Sequence, residues 1–258
     1  SAEAYSTVWT EEGSPLLFHT INQAEGFATV KSAKLEVSDL PVFYFPRITL
    51  PISNKRSSGL LFPTVGINRQ NGIDILQPIY WNLASNYDVT LTPRYISERG
   101  AAFGGEFRHL STWSKTQLNG QWLFNDRGGK EVESRSENSD YNGQTRYLAS
   151  FDHLGGFKHP WKTYVNLNKV SDTDYFNDLG TQFLTERSLT HLPRVTMASY
   201  KKGHWHFGIE TEDYQIISKD IEEQYSVLPK ISVDGSFRPT KDILVDISQR
   251  YTRFEHGD

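Results

Sequence analysis

Three consecutive stretches of about ten residues, each carrying a proline, constrain this chain more than anything else in it. They read Gly59-Leu-Leu-Phe-Pro-Thr-Val-Gly-Ile-Asn68, Ile73-Asp-Ile-Leu-Gln-Pro-Ile-Tyr-Trp-Asn82 and Tyr87-Asp-Val-Thr-Leu-Thr-Pro-Arg-Tyr95. About ten residues is what a tilted strand needs to cross a bilayer. In the third stretch Tyr87, Val89, Leu91 and Tyr95 alternate with Asp88, Thr90, Thr92 and Arg94. A period of two is a strand with one apolar and one polar side. Pro63, Pro78 and Pro93 are out of place in such strands, because proline cannot donate to a ladder and is usually confined to edges and bulges. Three in a row mark a part of the sheet that is kept weak.

Further along, the same alternation recurs. Trp161, Thr163, Val165 and Leu167 oppose Lys162, Tyr164, Asn166 and Asn168; Trp205, Phe207 and Ile209 oppose His204, His206 and Glu210. Val227, Ile231, Val233 and Phe237, then Ile243, Val245, Ile247 and Tyr251, repeat it. Strands are expected near 59–68, 73–82, 87–96, 102–113, 116–125, 144–154, 160–170, 188–200, 203–217, 225–238 and 241–254. The breaks between them sort by length. Asn125–Gly143 and Ser171–Arg187 are long and polar and fall on one side; the breaks after Asn82, Trp113, Leu154, Tyr200 and Arg238 are all short. Such sorting is the mark of an outer-membrane barrel, with long outer loops and short inner turns.

Composition allows this. Aromatic content is 13%, which suits strands and interfacial girdles. No apolar run approaches the roughly 18 residues of a membrane-spanning helix. A net charge of -4 argues against a nucleic-acid partner. With no cysteine there is neither a disulfide nor a thiolate metal site. No leader precedes Ser1-Ala-Glu-Ala, so any signal peptide is expected to be already removed or outside this sequence. The polar faces hold too much charge for a dry core: Asp88, Arg94, Glu106, Arg108, Lys162 and Glu210 are expected to line a lumen filled by water or by a polar partner.

Residues 1–46 read differently, as short strands followed by Leu40-Pro-Val-Phe-Tyr-Phe-Pro46. Pro41, Pro46 and Pro51 force extended backbone, so this segment is expected as a stiff connector into a second domain, 47–258. Asn54-Lys-Arg-Ser-Ser58 gives that domain a cationic start.

Candidate chemistry is sparse. His204-Trp-His206 with Glu210 places three possible metal ligands on one strand face, but no further cluster joins them, so a polar lumen face is expected rather than a metal site. Asp172, Asp174 and Asp178 lack the spacing of a calcium loop, since Phe176 stands where a ligand is needed; a structured surface loop is expected instead. No nucleophile elbow, phosphate loop or His-Glu-x-x-His occurs. Neither an enzyme nor a cofactor is expected.

Several motifs in order resemble one family. They are Leu40–Pro46, Pro51, Lys55-Arg-Ser-Ser-Gly-Leu60, Pro78-Ile-Tyr-Trp-Asn82, Tyr87–Pro93, Arg99-Gly100, Glu106-Phe-Arg-His-Leu110 and Lys169-Val-Ser-Asp-Thr-Asp-Tyr-Phe-Asn-Asp178. Together they resemble the LptD family of lipopolysaccharide-assembly outer-membrane proteins, densely from about 27 to 178. The resemblance implies the end of a periplasmic β-jellyroll (1–46), which takes lipopolysaccharide from the LptA bridge. It implies that 47–258 is the first part of a 26-stranded barrel housing the lipoprotein plug LptE. It also implies a lateral gate between first and last strands, weakened at Pro63 and Pro78 with Thr64 adjacent.

About eleven strands, a shortened jellyroll and no cysteine depart from that family and imply a piece of a longer chain. An open sheet in lipid needs its two edges covered. The missing half, a second copy or the BAM assembly complex holding a folding intermediate would each serve. Two other readings stay open: a generic porin or receptor barrel, and a soluble carbohydrate-binding β-domain.

Overall fold

The computed structural model describes the backbone of residues 6–9, 15–18, 20–24, 27–37, 40–51, 56–129, 141–180, 190–218 and 225–256. Lys55, the middle of the first long break, the end of the second, and the start of the strand expected from 188 lie outside the described residues. The chain divides into two compact units, Ser1–Gly59 and Leu60–Asp258.

The first unit is a five-stranded antiparallel sheet of β1 (Ser6–Trp9), β2 (Pro15–Phe18), β3 (Thr20–Ala24), β4 (Phe27–Val37) and β5 (Leu40–Pro51). β4 is its spine. Along one edge it pairs with β2 and β3, through Leu16↔Leu35 and Ile21↔Val30. Along the other it pairs with β5, from Val37↔Leu40 to Phe27↔Pro51. The segment expected as a connector is therefore extended, as its prolines require, but it is a paired strand that runs across residue 46. β5 takes all of its pairing from β4, which suits an edge position, where proline is tolerated.

The second unit is one antiparallel sheet of 13 strands. Its first ribbon is split into β6 (Gly59–Leu60) and β7 (Thr64–Asn68), and its second into β8 (Gly72–Leu76) and β9 (Ile79–Ala84). Nine unbroken ribbons follow: β10 (Tyr87–Ile96), β11 (Gly100–Leu110), β12 (Ser114–Leu123), β13 (Arg146–Gly155), β14 (Trp161–Val170), β15 (His191–Lys202), β16 (Trp205–Ile216), β17 (Ser226–Thr240) and β18 (Ile243–Glu255). Each pairs with the next, so eleven ribbons form the wall of a partial antiparallel β-barrel, as the alternation requires. The breaks sort as expected. Those at 85–86, 111–113, 156–160, 203–204 and 241–242 are short and share one end; 124–145 and 171–190 lie at the other.

Register decides the two faces. Directly opposed residues share a face, so Asp88↔Arg108↔Gln117↔Asp152↔Asn166 is one polar rung and Thr90↔Glu106↔Asn119↔Ser150↔Asn168 the next. The other face carries Trp81↔Val89↔Phe107↔Leu118 and, further on, Leu167 and Ile209. Leu167 is 41% exposed and Ile209 48%, so these side chains form an outward apolar surface rather than a compact dry centre. Aromatic rings gather on that face toward the short-break end, where Trp161 meets Tyr200 at 4.5 Å and Trp205 meets Phe237 at 6.3 Å.

The dry core sits elsewhere. Ile96, Ala102, Leu123, Leu148 and Val170 come from successive ribbons at the long-break end. Tyr175 and Leu179 of a one-turn helix, α1 (Tyr175–Leu179), complete the cluster with Leu192 and Ile217. A segment of the second long break is thus folded back onto the wall.

Candidate functional site

Two of the three prolines break the sheet where they stand. Pro63 lies between β6 and β7, and Pro78 between β8 and β9, while β10 runs unbroken through Pro93. β10 pairs with β8 at Arg94–Ile96 and with β9 at Tyr87–Leu91. At the gap between them a single bond remains, from the Gln77 N–H to the Pro93 carbonyl at 3.0 Å. Within an antiparallel pair the N–H and C=O of one residue point to the same neighbour. Pro93 therefore accepts from Gln77 and has no proton to return. The same one-sided pairing recurs at the outer ribbon, where the Leu61 N–H donates to the Pro78 carbonyl at 2.9 Å and Pro78 cannot answer.

Gln77 fills that second gap with its side chain. Its Nε2 donates to the Leu61 carbonyl at 2.8 Å and to the Pro78 carbonyl at 3.0 Å. Thr64, the first residue of β7, is exposed. So Pro63, Pro78 and Thr64, the residues expected at a gate, fall together at one gap in the edge, with Gln77 across it.

The six charged residues expected on one face do share it by register, but they do not form one cluster. Arg108 donates to both carboxylate oxygens of buried Asp88, at 2.8 and 3.2 Å, and lies 3.1 Å from Glu106. The Tyr80 hydroxyl adds a bond to Asp88 at 3.1 Å. Arg94 makes a two-bond pair with Asp74, at 2.9 and 2.6 Å. Lys162 stands apart near the short-break end, donating to the Gly156 carbonyl at 2.6 Å. Glu210 pairs with Lys230 at 3.1 Å. His206 lies opposite Lys201 and Asp234, and His204 lies in the turn before β16, so the His-Trp-His run stays strung along its ribbon.

A buried ionic network covers part of this face at the long-break end. Arg99 and Arg146, both almost fully buried, converge on Asp126 at 2.9 and 3.0 Å. Arg146 also reaches Asp178 at 2.8 Å and Asp172 at 2.6 Å, and Arg99 lies 3.4 Å from Asp178. Two guanidinium groups shared among three carboxylates satisfy the condition under which buried charge is tolerated. The network reaches the first turn of the sheet: Gln70 Nε2 donates to Asp178 Oδ1 at 3.0 Å, and Asn71 Nδ2 to the Asp178 carbonyl at 2.6 Å. Gly72 closes that turn at φ +69°, and a Cβ there would collide with Ser97 and Glu98.

Two tyrosines line the network. Burial and a 2.9 Å hydrogen bond to Asp174 push the Tyr141 phenol up to about 12. Burial pushes Tyr175 up as well, against the pull of Arg94 and Arg146.

Residues 28–176 match the family described as "LptD protein", and residues 144–258 match "LPS transport system D". The chain belongs to the LptD family. It is similar to three proteins named "LPS-assembly protein LptD". That of Chromohalobacter salexigens is 33% identical over 98% of this chain and 31% of its own length. That of Saccharophagus degradans is 32% identical over 99% of this chain and 31% of its own. That of Pseudomonas syringae pv. syringae is 35% identical over 92% of this chain and 24% of its own. The chain thus spans about a quarter to a third of these relatives. The crystal structure of Pseudomonas aeruginosa OpdQ aligns over 98% of this chain and 69% of that one, at a TM-score of 0.28 and 8% identity, a likeness too loose to carry an argument.

Two features of this LptD-family chain differ from the sequence reading. The 171–180 segment is structured, as expected, yet it lies on the polar face rather than on the surface, with Tyr175 and Asp178 buried. The polar face is accordingly not bordered by water or a partner along its whole height. Gln77 was also invisible: a glutamine before a proline carries no signal until the carbonyl opposite it is placed.

Proposed function

We propose that this chain is the part of an outer-membrane lipopolysaccharide translocon that forms the start of its barrel wall and one side of its lateral gate. The wall lies in the outer membrane of a Gram-negative bacterium, apolar face to lipid and polar face to the lumen. The observation that carries the reading is the edge itself: its first two ribbons are each broken, at Pro63 and at Pro78, and each proline lacks the N–H that a ladder bond needs. In hydrocarbon nothing replaces those bonds, so the wall opens sideways where they are missing. Asp88, Arg94, Glu106, Arg108, Lys162 and Glu210 line the route taken by the sugars, while acyl chains leave through the seam.

The first unit is the end of the periplasmic jellyroll, reached through an LptA-type bridge. The rest of the barrel, an LptE-type plug and the BAM complex during assembly complete the partners. The work is transport, driven from upstream, with no bond made or broken by this chain.

Replacing Pro63 and Pro78 together by residues that can donate restores two ladder bonds, and export slows. Surface lipopolysaccharide in the double variant of the full-length protein reads this. An unchanged level, together with passive solute conductance, points instead to a generic porin barrel.

A further inference from the structure

The edge ribbon is held very differently on the two sides of Pro63. After it, all five residues of β7 pair with β8, from Thr64↔Leu76 to Asn68↔Gly72. Their shared turn is fastened from behind: Gln70 and Asn71 donate to Asp178, and Arg99 Nε donates to Asn71 Oδ1 at 2.6 Å. One rung further in, Arg94 bonds both Asp74 of β8 and the Leu179 carbonyl of α1, the latter at 2.8 Å. The loop that supplies Asp178 and Leu179 belongs to the break after the seventh ribbon, so this half of the first hairpin is moored to the loop that follows β14.

Before Pro63 the ribbon is held by the two-residue β6, the Leu61–Pro78 backbone bond and the Gln77 side chain. Its apolar pattern differs as well. Leu60, Leu61 and Phe62 are consecutive and all exposed, at 49, 46 and 54%. Three consecutive apolar residues leave no polar position in this short stretch, unlike the alternating ribbons around it. A surface of that kind suits an acyl chain passing along it.

We infer that residues 59–63 are a leaf hinged at Pro63–Thr64 and latched by the side chain of Gln77, and that this leaf alone parts while β7 and β8 stay fixed. Gln77 is a positioning residue: it holds the leaf closed by standing in for the proton Pro78 lacks. What passes the leaf, the acyl part of a lipopolysaccharide, rests on the export reading; the hinge and the latch do not.

Amide hydrogen exchange on the full-length protein with its plug subunit, in lipid nanodiscs, tests this. Gln77→Glu keeps the shape but removes the donor. Loss of the hydrogen bond to the Leu61 carbonyl raises exchange at Leu61 and Phe62 about five-fold, with Val65–Asn68 unchanged. Gln77→Met, uncharged and of similar volume, gives the same result if the carboxylate hinders assembly. Equal exchange in wild type and both variants, or acceleration that extends through Val65–Asn68, overturns the latch. In cells, a photocrosslinker at Phe62 gains lipopolysaccharide adducts in Gln77→Glu while one at Ile67 does not. If exchange behaves as stated but no adduct forms at either position, the hinge stands and the export reading falls.

Discussion

Asn71 and Asp178 lie 107 residues apart, and the side chain of the first donates to the carbonyl of the second at 2.6 Å. Both are buried, and through them the first turn of the wall shares a network with Arg99, Asp126 and Arg146. Two local structures with no sequence proximity are thereby locked as one.

Asp178→Ala removes the carboxylate from Arg146, Arg99 and Gln70 at once. Breaking a buried pair from one side costs about 3–5 kcal/mol, because a buried charge loses its partner. The full-length barrel carrying Asp178→Ala unfolds at lower urea in lipid. Asp178→Asn, which keeps one side-chain oxygen as an acceptor, loses clearly less. Equal midpoints for wild type and Asp178→Ala contradict the network.

Tyr141 gives a pH window. Its phenol is held above the ordinary tyrosine value, first by burial and then by its bond to Asp174. A raised folded pKa favours the protonated form, so this stabilisation is complete below about pH 10 and is lost as pH rises toward about 12. The tyrosinate absorbance difference between wild type and Tyr141→Phe accordingly appears near 12. A difference centred at the ordinary value near 10 contradicts the burial.

The two faces of β16 make a paired prediction. Ile209→Arg puts a charge on the apolar face and costs about 2–4 kcal/mol if it sits at mid-bilayer. Glu210→Gln, one residue along, weakens only a partly exposed pair with Lys230 and changes stability by less than about 1 kcal/mol. Unfolding from liposomes by denaturant measures both. Equal effects mean that the alternation does not separate hydrocarbon from lumen.

Much of the wall was legible in the sequence because a sheet that faces two solvents writes a period of two. Trp161-Lys-Thr-Tyr-Val-Asn-Leu-Asn168 declares both its strand and its faces, and Pro63 and Pro78 announce the broken edge. The rest was hidden for physical reasons. Arg99, Asp126, Arg146 and Asp178 sit in or beside irregular breaks, where nothing periodic says which carboxylate meets which guanidinium. Tyr175 and Leu179 are core residues in a loop of one helical turn, too short for any periodicity to show. Gln77 acts through its amide on a carbonyl across the gap, which only the register reveals.

In the proposed function, lipopolysaccharide passes at the edge beside Pro63. Photocrosslinking from position 64 of the full-length protein in growing cells tests it most directly. The account predicts a lipopolysaccharide adduct at Thr64 that disappears when upstream transport is stopped. No adduct, or one that persists undiminished without transport, contradicts it.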